Sequence, residues 1–335
     1  MTHRVTLQPS SHSYDVQEGQ NILQAALDAG FMLPYSCRSG VCRTCRGTVV
    51  EGKVDYGAVH PNYLPDSDKR KGYALLCQAK PLSDVVIEVR EVKGMRPRII
   101  PCRVERLEKP TPDVAVMGLR LPMNENFRFL AGQYIDLLLK EGKRRSYSLA
   151  TKPDPGGVTA LEIHVRHTPG GVFTDHVFGK LKVRDLLRFE GPLGSFYLRE
   201  DSDKPIVMLA SGTGFAPIKA ICEYALEKKI SRPMTLYWGV RLKRDLYMLD
   251  VARSWKHLKF IPVLSDEQWE GRMGFVHRAV MEDFPDMSGV QVYACGAPVV
   301  IESARRDFSA QCGLPPDEFY ADSFLTEADK ALAPA

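Results

Sequence analysis

The alternation of apolar and polar positions divides the chain into three regions with different predicted structures. In residues 5–89, short strand patterns surround one amphipathic helix, predicted over 21–29. The stretch 46–55 (RGTVVEGKVD) predicts a β-hairpin that turns near Gly52. A basic, proline-containing segment without periodicity, 91–101, follows as a predicted linker. The first region is therefore predicted to be a small, mostly β unit.

The second and third regions differ in what separates their strand patterns. Between 102 and 198 the strand patterns are short and separated by Gly and Pro, which is typical of an antiparallel barrel or sandwich. From 204 onward, buried strands alternate with helices, which is typical of a parallel sheet with covered faces. We therefore predict three domains, with bounds at 1–92, 100–199 and 203–327.

Composition narrows the class of protein. The 335 residues are 44% hydrophobic and 26% charged, which is typical of a globular chain. The 45 Lys and Arg against 41 Asp and Glu are too evenly balanced to indicate a nucleic-acid partner. The chain has no run of the roughly 18 apolar residues that a membrane helix needs, and its first residues lack the apolar segment of a signal peptide. We therefore expect a cytoplasmic protein without a membrane or nucleic-acid partner.

Four of the eight cysteines lie within the first 77 residues, in the spacing of a plant-type 2Fe–2S ferredoxin loop. These predicted metal ligands are Cys37, Cys42, Cys45 and Cys77. Three thiolates from one tight loop let backbone N–H groups point at the sulfurs. The alternative is a four-cysteine zinc staple, but such sites usually combine two closely spaced cysteine pairs, and only one is present here.

Two further features of this loop lead to expectations about its structure and charge. Gly40 is expected where a chain wrapped this tightly has no room for a Cβ atom. Arg38, Arg43 and Arg46 would make the rim of the cluster basic and favour an acidic partner. A charged loop that is simply solvated is the alternative.

Two motifs in the second region together indicate a flavin site. In Arg145-Ser146-Tyr147-Ser148, the Arg can neutralise a pyrophosphate, the Tyr can lie along an isoalloxazine ring and the Ser can hydrogen-bond its N5. The stretch 170–174 (GGVFT) predicts a glycine turn that opens a helix, whose exposed N–H groups suit the same pyrophosphate. Taken alone, the RSYS motif would more often be a cross-strand surface motif, and the GGVFT motif would more often be a plain turn before a helix.

The third region contains a nucleotide-binding signal. The motif 212–217 (GTGFAP) lies directly between a buried strand and a helix, where glycines allow a dinucleotide pyrophosphate to approach the backbone. The motif is not GxGxxG, which disfavours a standard Rossmann dehydrogenase. Cys295 and Gly296 are expected at the carboxyl end of another strand, where open α/β sheets bind ligands. A buried, inert thiol is the alternative for Cys295.

In this order, the cysteine loop, RSYS, GGVFT, GPLGSF, SGTGFAP, YWGVR and YACGAP resemble the NAD(P)H-dependent iron–sulfur flavoprotein reductases. In that family a plant-type ferredoxin domain precedes a ferredoxin-NADP-reductase-like module. The resemblance implies a β-grasp 2Fe–2S domain over 1–92, an antiparallel β-barrel FAD domain over 100–199 and a parallel α/β NAD(P)H domain over 203–327. It covers almost the whole chain.

The resemblance also implies roles for single residues. FAD-binding residues would be Arg145, Ser146, Tyr147, Ser148, Gly170, Gly171, Val172 and Thr174, with His164 and Val165 along the flavin ring. Nucleotide-binding residues would be Gly212, Thr213, Gly214, Pro217, Arg241, Cys295 and Gly296. Ser148, Cys295 and Phe324 would lie at the reacting rings, with Phe324 covering the other flavin face.

The implied function is electron transfer from NAD(P)H through FAD and the cluster to a partner protein. The motifs LAGQYIDL, IHVRHTPGGVF and FYADSF most resemble the CDP-6-deoxy-Δ3,4-glucoseen reductase type, for which the acceptor would be a deoxysugar dehydratase. The alternative acceptor is an oxygenase component, and a non-catalytic, zinc-stapled binding module is the remote alternative. The basic residues at 241–244 favour NADPH, whereas the resemblance favours NADH. Following the resemblance, we expect NADH to be the donor, with NADPH as the alternative.

Overall fold

The computed structural model describes residues 2–92 and 95–325 of the chain. Residues 1, 93–94 and 326–327, which the predicted domains and linker include, lie outside the described residues. The chain packs as two compact units, one formed mainly by residues up to Arg96 and the other by Pro97–Ala321. No helix in the described ranges is long and apolar enough to span a lipid bilayer.

The first unit is built on a five-stranded sheet with the order β2-β1-β7-β3-β5. Its strands are β1 (His3–Gln8), β2 (Ser13–Val16), β3 (Arg46–Glu51), β4 (Val54–Asp55), β5 (Tyr73–Leu75), β6 (Lys80–Pro81) and β7 (Val85–Glu88). Its helices are α1 (Ile22–Asp28) and α2 (Asp66–Arg70). As predicted, α1 begins after Asn21, whose side chain accepts a hydrogen bond from the Gln24 N–H over 2.7 Å.

The predicted hairpin over 46–55 is wrong. Strand β3 pairs with β5 on one edge and with β7 on the other, so neither edge is left for the following segment. Strand β4 pairs instead with β6 in a separate two-stranded ladder. Gly52 still turns the chain, with φ +87°, but it packs against the backbone of Asp84, where a Cβ would lie 2.2 Å from the carbonyl oxygen.

The second unit begins with a six-stranded antiparallel sheet with the order β11-β10-β13-β8-β9-β12. Its elements are β8 (Arg98–Thr111), β9 (Val114–Arg120), β10 (Tyr134–Leu138), β11 (Arg144–Ser148), β12 (Ala160–Arg166), α3 (Val172–Gly179) and β13 (Leu186–Leu193). A bridge between Leu149 and Ile163 joins the two edges, so the sheet closes into the predicted barrel.

The predicted linker is too long at its C-terminal end, because β8 already begins at Arg98. Ile100 and Cys102 are buried in the barrel core, whereas the intervening Pro101 is exposed. This alternation is that of a strand with one face on a core. The barrel core is packed with aromatic rings: Phe127 lies 5.6 Å from Phe129 and 5.3 Å from Phe189, centroid to centroid.

The rest of the second unit contains the predicted parallel sheet, with the order β17-β16-β15-β14-β18-β19. Its strands are β14 (Ile206–Ser211), β15 (Met234–Val240), β16 (Lys259–Leu264), β17 (Arg272–Met273), β18 (Gln291–Gly296) and β19 (Phe319–Ser323). Its helices are α4 (Phe215–Glu227), α5 (Leu249–Ser254), α6 (Val276–Asp283) and α7 (Pro298–Gln311). Because β14, β15, β16 and β18 pair in parallel, their carboxyl ends share one edge.

Candidate functional site

The four predicted metal ligands lie together in the first unit. Cys42, Cys45 and Cys77 are buried and Cys37 is partly exposed. The backbone N–H groups of Ser39 and Cys42 both point at the Cys37 sulfur over 3.4 Å. These donors stabilise negative charge on that sulfur, as a metal-bound thiolate requires.

The sulfurs form two neighbouring pairs. A hydrogen bond between Cys37 and Cys42 lowers the pKa of the Cys37 thiol and raises that of Cys42. A hydrogen bond with Cys77 and then burial raise the pKa of Cys45. In the described part of the chain, no group of three or more His, Cys, Asp or Glu side chains is arranged so that it could hold a single metal ion. Two pairs of thiols fit a two-iron cluster, in which each iron takes two protein ligands, better than a single zinc.

The loop between the cysteines is wound as tightly as predicted. Gly40 has φ +77°, and a Cβ there would lie 2.9 Å from Cγ of Gln78. Arg43, also at positive φ, donates to the Asp68 carboxylate over 2.9 Å, and its side chain is only 22% exposed. The expected basic rim is therefore wrong in part, because a carboxylate from α2 neutralises its central arginine.

The RSYS motif occupies β11 at the edge of the barrel. The Ser146 hydroxyl donates to the buried Asp136 on β10 over 2.6 Å, which fixes the register of the strand. The side chain of Tyr147, the next residue, lies on the opposite face of β11 and packs against Phe173 of α3, with ring centroids 5.5 Å apart. Ser148 is buried, and Arg145 donates to the neighbouring backbone carbonyl of Arg144.

The GGVFT motif forms the start of α3, as predicted. Gly171 is the N-cap residue, and the Thr174 hydroxyl donates to the Thr168 carbonyl over 2.8 Å. A Cβ on Gly171 would lie 2.5 Å from that hydroxyl oxygen, whereas Gly170 has open space and φ +80°. Val172, the first helical residue, is 55% exposed. Since Phe173 of this helix touches Tyr147, the fold brings both predicted flavin motifs together at a helix start, where backbone N–H groups can bind an anion.

His164 and Val165 lie on β12 with their side chains turned away from any open surface. Val165 is a barrel-core residue with no exposed area. The His164 side chain is also fully buried, with Nδ1 2.7 Å from the Tyr247 hydroxyl and Nε2 3.1 Å from Glu162. The bridge between Leu149 and Ile163 makes Ser148 the cross-strand neighbour of His164. The expected place of His164 and Val165 along the flavin ring stays a prediction.

The predicted nucleotide motif connects β14 to α4 through a short 3₁₀ turn, Gly212–Gly214. A Cβ on Gly214 would lie 2.1 Å from the carbonyl oxygen of Cys295. A Cβ on Gly296, at φ +134°, would lie 2.4 Å from the carbonyl oxygen of Ser211. These two glycine-containing segments therefore pack backbone to backbone at the carboxyl edge of the sheet. Thr213 is buried in this turn and Pro217 in the first turn of α4. Phe324 follows β19 as a partly exposed residue.

A cleft of about 400 Å³ opens beside this turn. Its lining consists of Pro112, Asp113, Arg166, Arg241, Leu242, Arg244, Asp245 and Asp266. Of these, the sequence indicated Arg241 as a binding residue. Arg166 is at the end of β12, and its Nη1 would lie 3.1 Å from a Cβ placed on Gly212. Asp266 follows β16, a strand with no recognisable motif, so only its position in the sheet reveals it.

Three family models match the chain in succession. The 2Fe-2S iron-sulfur cluster binding domain matches residues 5–82, the oxidoreductase FAD-binding domain matches 101–197 and the oxidoreductase NAD-binding domain matches 208–306. The cofactor set is therefore a 2Fe–2S cluster, FAD and a nicotinamide dinucleotide. The four cysteines lie in the first of these ranges, the RSYS and GGVFT motifs in the second, and the glycine turn with Cys295 and Gly296 in the third.

Three known proteins that are similar over almost the whole chain are named as reductases. The CDP-6-deoxy-L-threo-D-glycero-4-hexulose-3-dehydrase reductase of Yersinia pseudotuberculosis is 40% identical, over 97% of this chain and 99% of its own. Reductase component 2 of the terephthalate 1,2-dioxygenase of a Comamonas species is 34% identical, over 97% and 98%. The crystal structure of an Amycolatopsis cytochrome P450 reductase is 35% identical, with a TM-score of 0.76, over 96% and 98%.

Proposed function

The chain belongs to the NAD(P)H-dependent iron–sulfur flavoprotein reductases, and we propose that its electron acceptor is a dehydrase that acts on a CDP-linked deoxysugar. The observation behind this choice is the 40% identity, over nearly the full length of both chains, to a reductase that serves such a dehydrase. A second candidate acceptor, the terminal component of an aromatic dioxygenase, is supported by a similar full-length match at 34% identity.

When bound, the three cofactors would supply the redox chemistry: hydride transfer at the nicotinamide and FAD, and single-electron transfer at the cluster. What this chain contributes is binding, orientation and charge. We propose that Cys37, Cys42, Cys45 and Cys77 hold the cluster. The N–H groups of Ser39 and Cys42, 3.4 Å from the Cys37 sulfur, offset negative charge there and favour the reduced state.

The FAD is proposed to bind where β11 meets the start of α3. The N–H groups that follow Gly171 and the Arg145 guanidinium would neutralise its pyrophosphate, and Gly170 leaves the approach open. The Tyr147 ring, held by Phe173, would lie along the isoalloxazine, and the Ser148 hydroxyl would hydrogen-bond N5. Ser148 is buried between neighbouring strands, which keeps that hydroxyl in one position.

The nicotinamide dinucleotide is proposed to bind at the 3₁₀ turn that begins α4. Gly212, Thr213 and Gly214 would let its pyrophosphate approach the backbone, with Pro217 in the first turn of the helix. Cys295 and Gly296, packed against this turn, would border the nicotinamide ring. The expected role of Phe324 at the flavin stays a prediction.

The first experiment is an anaerobic titration of the purified protein with NADH and, separately, with NADPH. Absorption bands of flavin and cluster that bleach with substoichiometric nucleotide are expected. The acceptor is then tested with NADH oxidation in the presence of two partner systems. These are the Yersinia CDP-6-deoxy-L-threo-D-glycero-4-hexulose-3-dehydrase with its sugar nucleotide and the Comamonas dioxygenase with terephthalate. Turnover with only the dioxygenase would overturn the proposed acceptor, and bands that do not bleach would overturn the electron-transfer function.

A further inference from the structure

Two oppositely charged side chains meet at the carboxyl edge of the parallel sheet. Nε of Arg241, directly after β15, lies 2.7 Å from a carboxylate oxygen of Asp266, two residues after the end of β16. The two strands are neighbours, paired up to Val240 and Leu264, so their ends place these residues side by side. Both side chains line the cleft beside the nucleotide turn.

The other arginines of this cleft also have carboxylates close by. Arg166 lies 3.3 Å from Asp113, and Nε of Arg244 lies 4.0 Å from Asp245. The cleft lining therefore combines three guanidinium groups with three carboxylates. The basic sequence at 241–244 consequently does not produce a strongly positive site once the chain is folded.

Nicotinamide dinucleotides differ in this region by one group. NADH has a ribose 2′-hydroxyl, which can donate a hydrogen bond to a carboxylate, whereas NADPH has a 2′-phosphate, which needs a cation. A carboxylate beside the 2′-phosphate repels it and also competes for the arginine. In α/β nucleotide sheets the discriminating acid commonly follows the second strand, where this chain has Arg241. In this chain Asp266, which follows the third strand β16, places a carboxylate beside Arg241.

We propose that Asp266 is the residue that selects NADH over NADPH, by holding the Arg241 guanidinium and accepting a ribose hydroxyl where a 2′-phosphate would otherwise bind. This inference rests on the proposed function of the site. Asp245, the nearest acid in sequence, is already engaged, because its side chain accepts the Leu242 N–H over 3.0 Å and caps the turn. The hydrogen bond from Arg241 lowers the pKa of Asp266, so this carboxylate is ionised at neutral pH.

The test compares Asp266→Asn with the unchanged protein, both loaded with FAD and cluster. Removing the charge frees Arg241 for a phosphate, so the ratio of kcat/KM for NADPH to that for NADH is expected to rise about tenfold. Binding of 2′,5′-ADP and of 5′-ADP, measured by calorimetry on the oxidised protein, is expected to shift in the same direction without any turnover. Both side chains of the pair are well exposed, so the variant should fold normally.

Two further variants make the result specific. Glu270→Gln removes a carboxylate that pairs with Lys243, and since neither residue lines the cleft, it should leave the ratio unchanged. Adding Arg241→Ala to Asp266→Asn should abolish the gain. An unchanged ratio in Asp266→Asn, an equal rise in Glu270→Gln or a gain that survives loss of Arg241 would each overturn the inference. If neither nucleotide bleaches the flavin, the proposed function fails, and the two adenosine phosphates alone still decide the role of Asp266.

Discussion

The hydroxyl of Tyr247, in the segment between β15 and α5, lies 2.7 Å from Nδ1 of His164 on β12 of the barrel. The other ring nitrogen of His164 faces Glu162 at 3.1 Å. Against the opposing effect of burial, the hydrogen bond with His164 and the charges of Lys219 and Arg106, which pair with this carboxylate, lower the pKa of Glu162 to about 2. An ionised Glu162 accepts the Nε2–H, which leaves Nδ1 to accept the hydrogen bond from Tyr247.

Tyr247→Phe should destabilise the protein, because it removes only the hydroxyl and leaves the buried Nδ1 of His164 without a donor. We expect the free energy of unfolding to fall by about 1–3 kcal/mol, measured by chemical denaturation. Tyr224→Phe is the matched control: its hydroxyl lies 3.0 Å from Glu200 at an exposed position, and its loss should cost much less. If both variants lost the same free energy of unfolding, the contact with His164 would not stabilise the protein more than an exposed hydrogen bond does.

Stability should depend on pH through His164 between pH 7 and 5. Burial lowers the pKa of His164, and Lys219 and Arg106 lower it further against the opposing effect of Glu162. The unfolded chain takes up a proton near pH 6.5 that the folded chain resists, so stability is retained above that pH and lost below it. The loss is at most about 1.4 kcal/mol per pH unit.

His164→Gln should flatten this dependence in urea denaturation measured from pH 7 to 5. The difference between the two proteins isolates His164, because the lowered pKa values of His257 and His277 contribute to both. The depressed pKa of Glu162 acts in a lower window, since its stabilisation is lost only as the pH falls from about 4.3 towards 2. Parallel curves for the two proteins between pH 7 and 5 would contradict the prediction.

Cys77→Ser should separate the cluster from the flavin. Loss of one of four thiolate ligands should remove or destabilise the cluster absorption and abolish reduction of a protein acceptor, while NADH-dependent reduction of a two-electron dye continues. Cys102→Ser, a change at a buried thiol in the barrel core, should leave the cluster absorption intact. If dye reduction falls as far as the reduction of the protein acceptor, the proposed division between flavin and cluster is wrong.

Gly171→Ala should weaken FAD binding, because the added Cβ would lie 2.5 Å from the Thr174 hydroxyl and 2.8 Å from the Thr168 carbonyl. The start of α3 would have to shift, and its N–H groups with it. We expect a loss of at least tenfold in FAD affinity, about 1.4 kcal/mol, measured by fluorescence on protein stripped of flavin. Gly179→Ala, at the other end of the helix where nothing lies within 4 Å, should bind FAD normally. Equal affinities in the two variants would argue against an anion site at this helix start.

The predictable parts of this protein are those that neighbouring residues determine. The helix start after Asn21 and the glycine turn at 170–171 both depend on contacts within a few residues. For the same reason the alternation of strands and helices was enough to separate the barrel from the parallel sheet. Motif order then indicated three cofactors, which the matched families confirm.

Only the tertiary structure decided which distant side chains meet. The hairpin over 46–55 fails because β5 and β7 already occupy both edges of β3. The partners of the arginines could not be predicted from the sequence either. Arg43 and Arg241 are neutralised by Asp68 and Asp266, each 25 positions further along the chain. Their partners come from a different helix or strand, and the order of elements in a fold is set by packing the whole core, which no local spacing encodes.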